Sequence, residues 1–262
     1  MDNTHVIQRA ALAVNGRYRN QPVLSATNFN VSHGRIQVVF DVSLQVYAGE
    51  MLAVLGSNGA GKSSLLGGIA GVVNNRGSVT VKDVNLERLP AHVRSFKGIS
   101  FVPERRGNIF AAMSVAENLE IGLRLTPADR KEAVKTDILE LFPILTKRMP
   151  IVAGMLSGGE QQMLAIGMAL GREPSVLVLD EPSQGLAPTI FDLLEDTFNT
   201  LKKRSMAILM AEQNLPFTTR NADRYIILSQ GEQVAEGERS DLHDHVKIME
   251  LFMGPQRQSY IA

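Results

Sequence analysis

No cysteine occurs among the 262 residues, so disulfides, thiolate nucleophiles and sulfur-ligated metal centres are excluded. Net charge is absent as well. Twenty-seven basic residues balance 27 acidic ones, which leaves no general attraction toward nucleic acid or an anionic membrane. Long apolar runs are missing too: no stretch reaches the roughly 18 residues that a membrane-spanning helix needs. Behind Arg9, the segment Ala10–Val14 is too short for the core of a secretory signal, and Gly16, Arg17 and Arg19 follow at once. The expected location is the cytoplasm, with any membrane attachment made through a partner. Histidine is sparse, and His5, His33, His92, His243 and His245 show no zinc-ligand spacing. What remains is a globular composition, 44% apolar, in a chain long enough for one good core and a small second lobe.

The chain is organised around Gly56-Ser57-Asn58-Gly59-Ala60-Gly61-Lys62-Ser63-Ser64, between the apolar run Met51–Leu55 and the helical pattern Leu65–Ala70. Glycines at the first and sixth positions, then Lys and Ser, fit a phosphate-binding P-loop between a buried strand and a helix. Inward-turned backbone N–H groups cradle phosphate oxygens there, and the helix start adds its positive end. Lys62 is expected to bridge the β- and γ-phosphates of a nucleotide, and Ser63 to ligate Mg²⁺.

Residues 1–25 carry weak periodicity and read as an N-terminal extension, ahead of a domain over 26–262. Strands are expected at Phe29–Val31, at Ile36–Val46 with a break near Phe40-Asp41, across Gly77–Val84 as a short pair, and at Gly98–Val102. From Val115 to Phe142 the apolar spacing is helical, with Thr126 as N-cap and Pro127 at the first helical position of a new helix. Helices are expected from Gly158, from Pro188, and over about 241–253. Fully apolar strands at Val176–Leu179, Met206–Met210 and Tyr225–Leu228 alternate with them, and Gly231 sits in a hairpin turn. Such alternation indicates an α/β domain whose sheet is covered on both faces.

The strand Val176–Leu179 ends in Asp180-Glu181, at the carboxyl edge where α/β sheets place ligands. Asp180 is then placed to hold Mg²⁺, and Glu181 to polarise an attacking water. Upstream lies Leu156-Ser157-Gly158-Gly159-Glu160-Gln161. Small residues at a helix start form a second anion cradle, although Ser-Gly-Gly-Glu read alone is also a plain helix cap. Two cradles in one chain suggest a head-to-tail dimer in which each nucleotide site is split between subunits.

With these residues in view, the chain resembles the ATP-binding cassette ATPases, the nucleotide-binding subunits of ABC transporters, over roughly Ala26–Gly254. The resemblance implies an α/β fold: a P-loop NTPase (RecA-like) core with an N-terminal antiparallel β subdomain and a small helical subdomain near 104–160. It implies ATP and Mg²⁺, with Glu181, Lys62 and Gln213 catalytic and Ser63, Glu104 and Asp180 at the metal. Ser157, Gly158 and Gly159 would meet the γ-phosphate held by the other subunit. His33 takes the place of the adenine-stacking aromatic. Glu104 and Gln213 stand where the family has a sensing Gln and a switch His, and Ala187 where it has an Asp. A Gln at the switch cannot carry a proton, and Glu104 adds negative charge; these departures could slow hydrolysis.

Pro103-Glu104 with Arg105 and Arg106, Glu181–Pro188, and Ala211–Asn214 together resemble the second ATPase subunit of branched-chain amino acid import systems. The implied partners are permease subunits, a second ATPase subunit and a solute-binding protein, with no nucleic acid. The implied position is peripheral, on the cytoplasmic face of the cell membrane, with Arg105, Arg106 and the helices to Phe142 forming the groove that faces the permease. Urea, amide or other small-solute import and a non-transport regulatory role are the alternatives.

Overall fold

The computed structural model describes residues 21–244 and Ile248. Two sheets share one helix. The first sheet is antiparallel, in the order β2-β1-β4-β5, from β1 (Leu24–His33), β2 (Ile36–Val46), β4 (Asn74–Val81) and β5 (Val84–Asn85). The second, in the order β10-β9-β3-β8-β7-β6, contains β3 (Met51–Leu55), β6 (Ile99–Val102), β7 (Val176–Asp180), β8 (Ala207–Glu212), β9 (Arg224–Ser229) and β10 (Glu232–Glu238). Its four pairings from β9 to β6 are all parallel; only β10 joins β9 antiparallel, through the Gln230-Gly231 turn.

The apolar strands are apolar because both of their faces are covered. On β3, Met51, Ala53 and Leu55 face a core shared with Leu177, Leu179, Ile208, Met210 and Phe198. Leu52 and Val54 face the other core, with Leu65, Leu66 and Ile69 of α1 (Lys62–Ala70) and with Phe29 and Val31 of the antiparallel sheet. The helix behind the P-loop is therefore packed between the two sheets. Its far end is held by Arg94 of α2 (Ala91–Phe96), only 1% exposed, whose Nη1 donates to the Gly68 and Ile69 carbonyls at 2.9 Å. The Gly68 carbonyl also accepts from the Gly71 N–H at 3.0 Å, so Arg94 adds to the capping of the last turn, whose carbonyls have no partner further along the helix. The foot of β3 is also pinned. Arg224 pairs with the buried Glu50 at 2.9 Å, and Asp223 accepts from the Met51 N–H at 2.9 Å.

Most expected elements are present, with informative shifts. The expected interruption at Phe40-Asp41 is a bulge inside a continuous β2, with Asp41 at φ 49° and a register shift opposite β1. β1 already begins at Leu24, inside the segment expected to be extension. The stretch from Val115 is three helices: α3 (Val115–Gly122), α4 (Lys131–Leu141) and α5 (Pro143–Arg148). Thr126 is not an N-cap: α4 starts at Lys131, with Arg130 before it. Thr126 is buried and its hydroxyl donates to the Gly171 carbonyl, so the side chain that would have capped α4 instead ties the connecting turn to α6 (Gly158–Leu170). After α7 (Pro188–Lys203) and α8 (Leu215–Asn221), residues 239–243 form a 3-10 turn; the helix expected over 241–253 lies otherwise outside the described residues, Ile248 apart.

Candidate functional site

Three strand ends converge at the carboxyl edge of the parallel sheet, where β3 gives way to the P-loop, β7 to Glu181 and β8 to Gln213. The loop needs its glycines. Gly56 has φ 152°, and a Cβ there would lie 2.4 Å from the Leu228 carbonyl oxygen; Gly61 caps α1 in the left-handed region at φ 101°. Ser57, Asn58 and Gly59 are exposed, whereas Ala60 is buried against the core.

Lys62, 4% exposed, donates to the Gly56 and Ser57 carbonyls at 3.0 and 3.2 Å and pairs with Glu181 Oε1 at 3.4 Å. Glu181 follows β7 at φ 47°, with its N–H bonded to the Ala211 carbonyl of β8 at 3.0 Å. Its carboxylate also accepts from Gln213 Nε2 and, at 3.1 Å, from Gln184 Nε2. The same Gln213 nitrogen donates to Asn58 Oδ1 at 2.6 Å, so the P-loop and the β8 end grip Glu181 together.

Ser63 Oγ donates to Asp180 Oδ1 at 3.0 Å. This pair of hard oxygen donors fits Mg²⁺, which takes few protein ligands and leaves the rest of its octahedron to phosphate and water. Among the described residues no cluster of three or more His, Asp or Glu offers a self-sufficient metal cage. Burial pushes the Asp180 carboxyl up to about 6, the charges of Glu181 and Glu104 add to the rise, and the Ser63 hydroxyl and Lys62 oppose it. A carboxyl raised on folding holds its proton more tightly in the native state, so its contribution to stability falls as pH rises between about 4 and 6. In metal-free protein this one group costs on the order of 3 kcal/mol above that window. Asp180→Asn is expected to flatten the stability-versus-pH curve across it, as read by urea melts at pH 4.5 to 7; an unchanged curve contradicts the assignment.

The remaining expected residues are spread around this centre. His33, at the end of β1, reaches the P-loop helix, its Nε2 2.9 Å from Ser64 Oγ. Glu104 follows β6 in a 3-10 turn and pairs with Arg105 at 3.2 Å. Ser157 is the N-cap of α6 in a reciprocal box: its Oγ accepts from the Glu160 N–H at 3.3 Å, and Glu160 accepts from the Ser157 N–H at 2.8 Å. Gly159 is buried, and a Cβ there would lie 2.8 Å from the Ile190 side chain, which would have to shift to admit one. No hydrogen bond or ion pair among the described residues joins 157–159 to the 56–64 loop. Ala187 precedes α7 and offers that helix no side-chain cap.

Arg106 departs from its expected direction. Instead of pointing only into the outer groove, its Nη2 donates to the Gln184 carbonyl at 3.1 Å, beside Gly158. A groove of about 450 Å³ runs between the core and the helical segment past Val72, Phe101, Pro103, Phe110, Ile121 and Arg172; neither Arg105 nor Arg106 lines it. Arg172 also stacks on the exposed Phe96 ring, 3.8 Å from its centroid.

One residue was not read as functional from the sequence. Glu212 ends β8, is 2% exposed, and accepts the N–H groups of Ser183 at 2.9 Å and of Gln213 and Asn214 at 3.1 Å. The signal was present: an apolar strand closing on a carboxylate repeats the pattern that singled out Asp180-Glu181.

A model of the ABC transporter family matches residues 39–184. The high-affinity branched-chain amino acid transport ATP-binding protein BraG of Pseudomonas aeruginosa is 37% identical, over 88% of this chain and 100% of its own. The probable branched-chain amino acid transport ATP-binding protein LivF of Archaeoglobus fulgidus is 35% identical, over 88% and 99%. The lipopolysaccharide export system ATP-binding protein LptB of Haemophilus influenzae is 30% identical, over 89% and 98%. A solved nucleotide-free ATP-binding cassette from an ABC transporter shares the fold at TM-score 0.79 and 24% identity, covering 89% of this chain and 100% of that one. The family match takes in both the P-loop and the helix start at Ser157, and the likeness runs nearly the full length of these relatives; this chain belongs to the ABC transporter family as an ATP-binding subunit.

Proposed function

We propose that the chain is the ATP-hydrolysing subunit of an importer for branched-chain or related amino acids, working through a partner permease. The observation that carries the hydrolysis is the set of groups around Glu181: Lys62, Gln213 and Gln184 hold one carboxylate at the lip of a phosphate loop. Lys62 and the loop amides stabilise charge on the transferring phosphoryl group. Ser63 and Asp180 would hold Mg²⁺, which would supply positive charge against the developing negative charge of the phosphoryl group. Glu181 orients and deprotonates the attacking water, and Gln213 keeps it aimed. Glu104, beside Asp180, adds negative charge at the metal side of the site. Ser157, Gly158 and Gly159 complete the site of a second subunit, so turnover belongs to the dimer. His33 lies at the P-loop helix where the adenine ring would rest. The extension expected over 1–25 gives up Leu24 and Ser25 to β1, and the helical subdomain lies near 104–160.

The amino acid assignment is supported by higher identity to the two branched-chain relatives than to LptB, at 37% and 35% against 30%. The groove past Val72, Phe110 and Ile121 is apolar and half-exposed, which suits a segment of a permease on the cytoplasmic side of the membrane. No helix among the described residues is long and apolar enough to cross a membrane. The test is co-purification with candidate permease subunits, followed by phosphate release in proteoliposomes with a candidate solute-binding protein. Leucine or valine is expected to raise release several-fold. Stimulation by urea or amides alone would move the cargo to those solutes, and no stimulation by any small solute would remove the import reading.

A further inference from the structure

Glu212 is the buried charge for which phosphate chemistry has no direct use. It sits at the sheet edge with 2% exposure, and no ion pair among the described residues includes it. Burial pushes its carboxyl up, and hydrogen bonds from Ser183, Asn214 and Gln213 pull against that rise. An unpaired buried carboxylate is costly unless donors surround it. Here every donor comes from one of two loops. Oε1 takes the Ser183 N–H at 2.9 Å, from the loop that follows Glu181; Oε2 takes the Gln213 and Asn214 N–H groups at 3.1 Å, from the loop that follows β8.

We propose that Glu212 is a positioning residue for hydrolysis: its carboxylate clamps the loop after Glu181 to the loop carrying Gln213, fixing the register in which Gln213 meets Glu181. The proposal rests on the ATPase reading above and adds a residue to it. The connections form a closed ring, from Glu181 along the chain to Ser183, across to Glu212, on to Gln213, and back through the Gln213 side chain to the Glu181 carboxylate. Only glutamate closes it. Both oxygens accept from backbone N–H groups, which cannot turn away, so the NH₂ of a glutamine would face a donor whichever way it flips. Aspartate is one methylene too short to reach both loops.

The experiment uses full-length protein with Mg²⁺ and ATP. Glu212→Gln is expected to lower kcat roughly 10- to 100-fold, the scale set by small misplacements of catalytic groups. ATP affinity should stay within about threefold, because the P-loop donors are untouched. Combined with Gln213→Ala, the two losses should fall short of their product, since both open the same ring. A folded Glu212→Gln with kcat within twofold of the parent, or losses that multiply, overturns the clamp. Native-state amide exchange in the unmodified chain reads the same device without a variant: Ser183, Gln213 and Asn214 should open together, and independent opening overturns it. A parent that releases no phosphate refutes the ATPase reading, and the exchange rates then decide the clamp alone.

Discussion

Glu181→Gln is expected to bind ATP and almost cease to hydrolyse it, with kcat reduced by about 10²- to 10⁴-fold, the range a positioned general base supplies. The geometry separates the two effects. Glu181 lies beyond the end of β7 at φ 47°, and its acceptor-only carboxylate donates nothing to the phosphate cradle. An isosteric amide keeps one acceptor oxygen for Gln213 or Lys62. The new NH₂ needs only the exposed Gln184 side chain to turn its own amide. Removing a negative charge 3.4 Å from Lys62 also eases the approach of a polyanion. Affinity should therefore hold or rise while the chemical step fails. If hydrolysis is what reopens a nucleotide-bridged dimer, the variant should also accumulate as a dimer with ATP on light scattering. Turnover near the parent rate would remove Glu181 from the mechanism.

The parts of the site legible in the sequence are those that local spacing enforces. Gly56, Gly61, Lys62 and Ser63 are set by one turn between a strand and a helix. Asp180-Glu181 is set by an apolar strand that takes on charge only at its carboxyl end. The same reasoning located β3, β7 and β8 and the helices at Gly158 and Pro188 within a residue or two. What stayed hidden depends on contacts between distant segments. Thr126 looked like a helix cap because Thr-Pro-x-Asp is a helix start in isolation; a carbonyl 45 residues away claims its hydroxyl. Arg106 looked like part of an outer basic edge, but its backbone turns through the left-handed region at φ 57° and sends the guanidinium back to Gln184. Glu212 bonds Ser183 across 29 residues, a partnership no local window contains. Ser157 and Gly159 show why a helix cap and an anion cradle are not separable by sequence: Ser157 caps α6 and Gly159 packs against Ile190 inside this chain.

Lys62→Ala is expected to weaken ATP binding by roughly 10²-fold. Removing one partner of a buried charge pair costs about 2–5 kcal/mol, and each 1.4 kcal/mol is a factor of ten. Two losses combine. The Nζ that rests on the Gly56 and Ser57 carbonyls, poised at the cradle, no longer meets phosphate. Glu181 also loses its only ion pair among the described residues and stays beside Asp180, so the approaching polyanion faces uncompensated negative charge. These contributions can be told apart by adding Glu181→Gln. If the unpaired carboxylate supplies part of the penalty, the double variant should bind ATP several-fold more tightly than Lys62→Ala alone, a non-additivity expected of groups in contact. If the lysine acts only through its own bond to phosphate, the second change should restore nothing. Isothermal titration with ATP at fixed ionic strength measures both, and a Lys62→Ala chain that binds ATP as tightly as the parent would leave the P-loop assignment without its central residue.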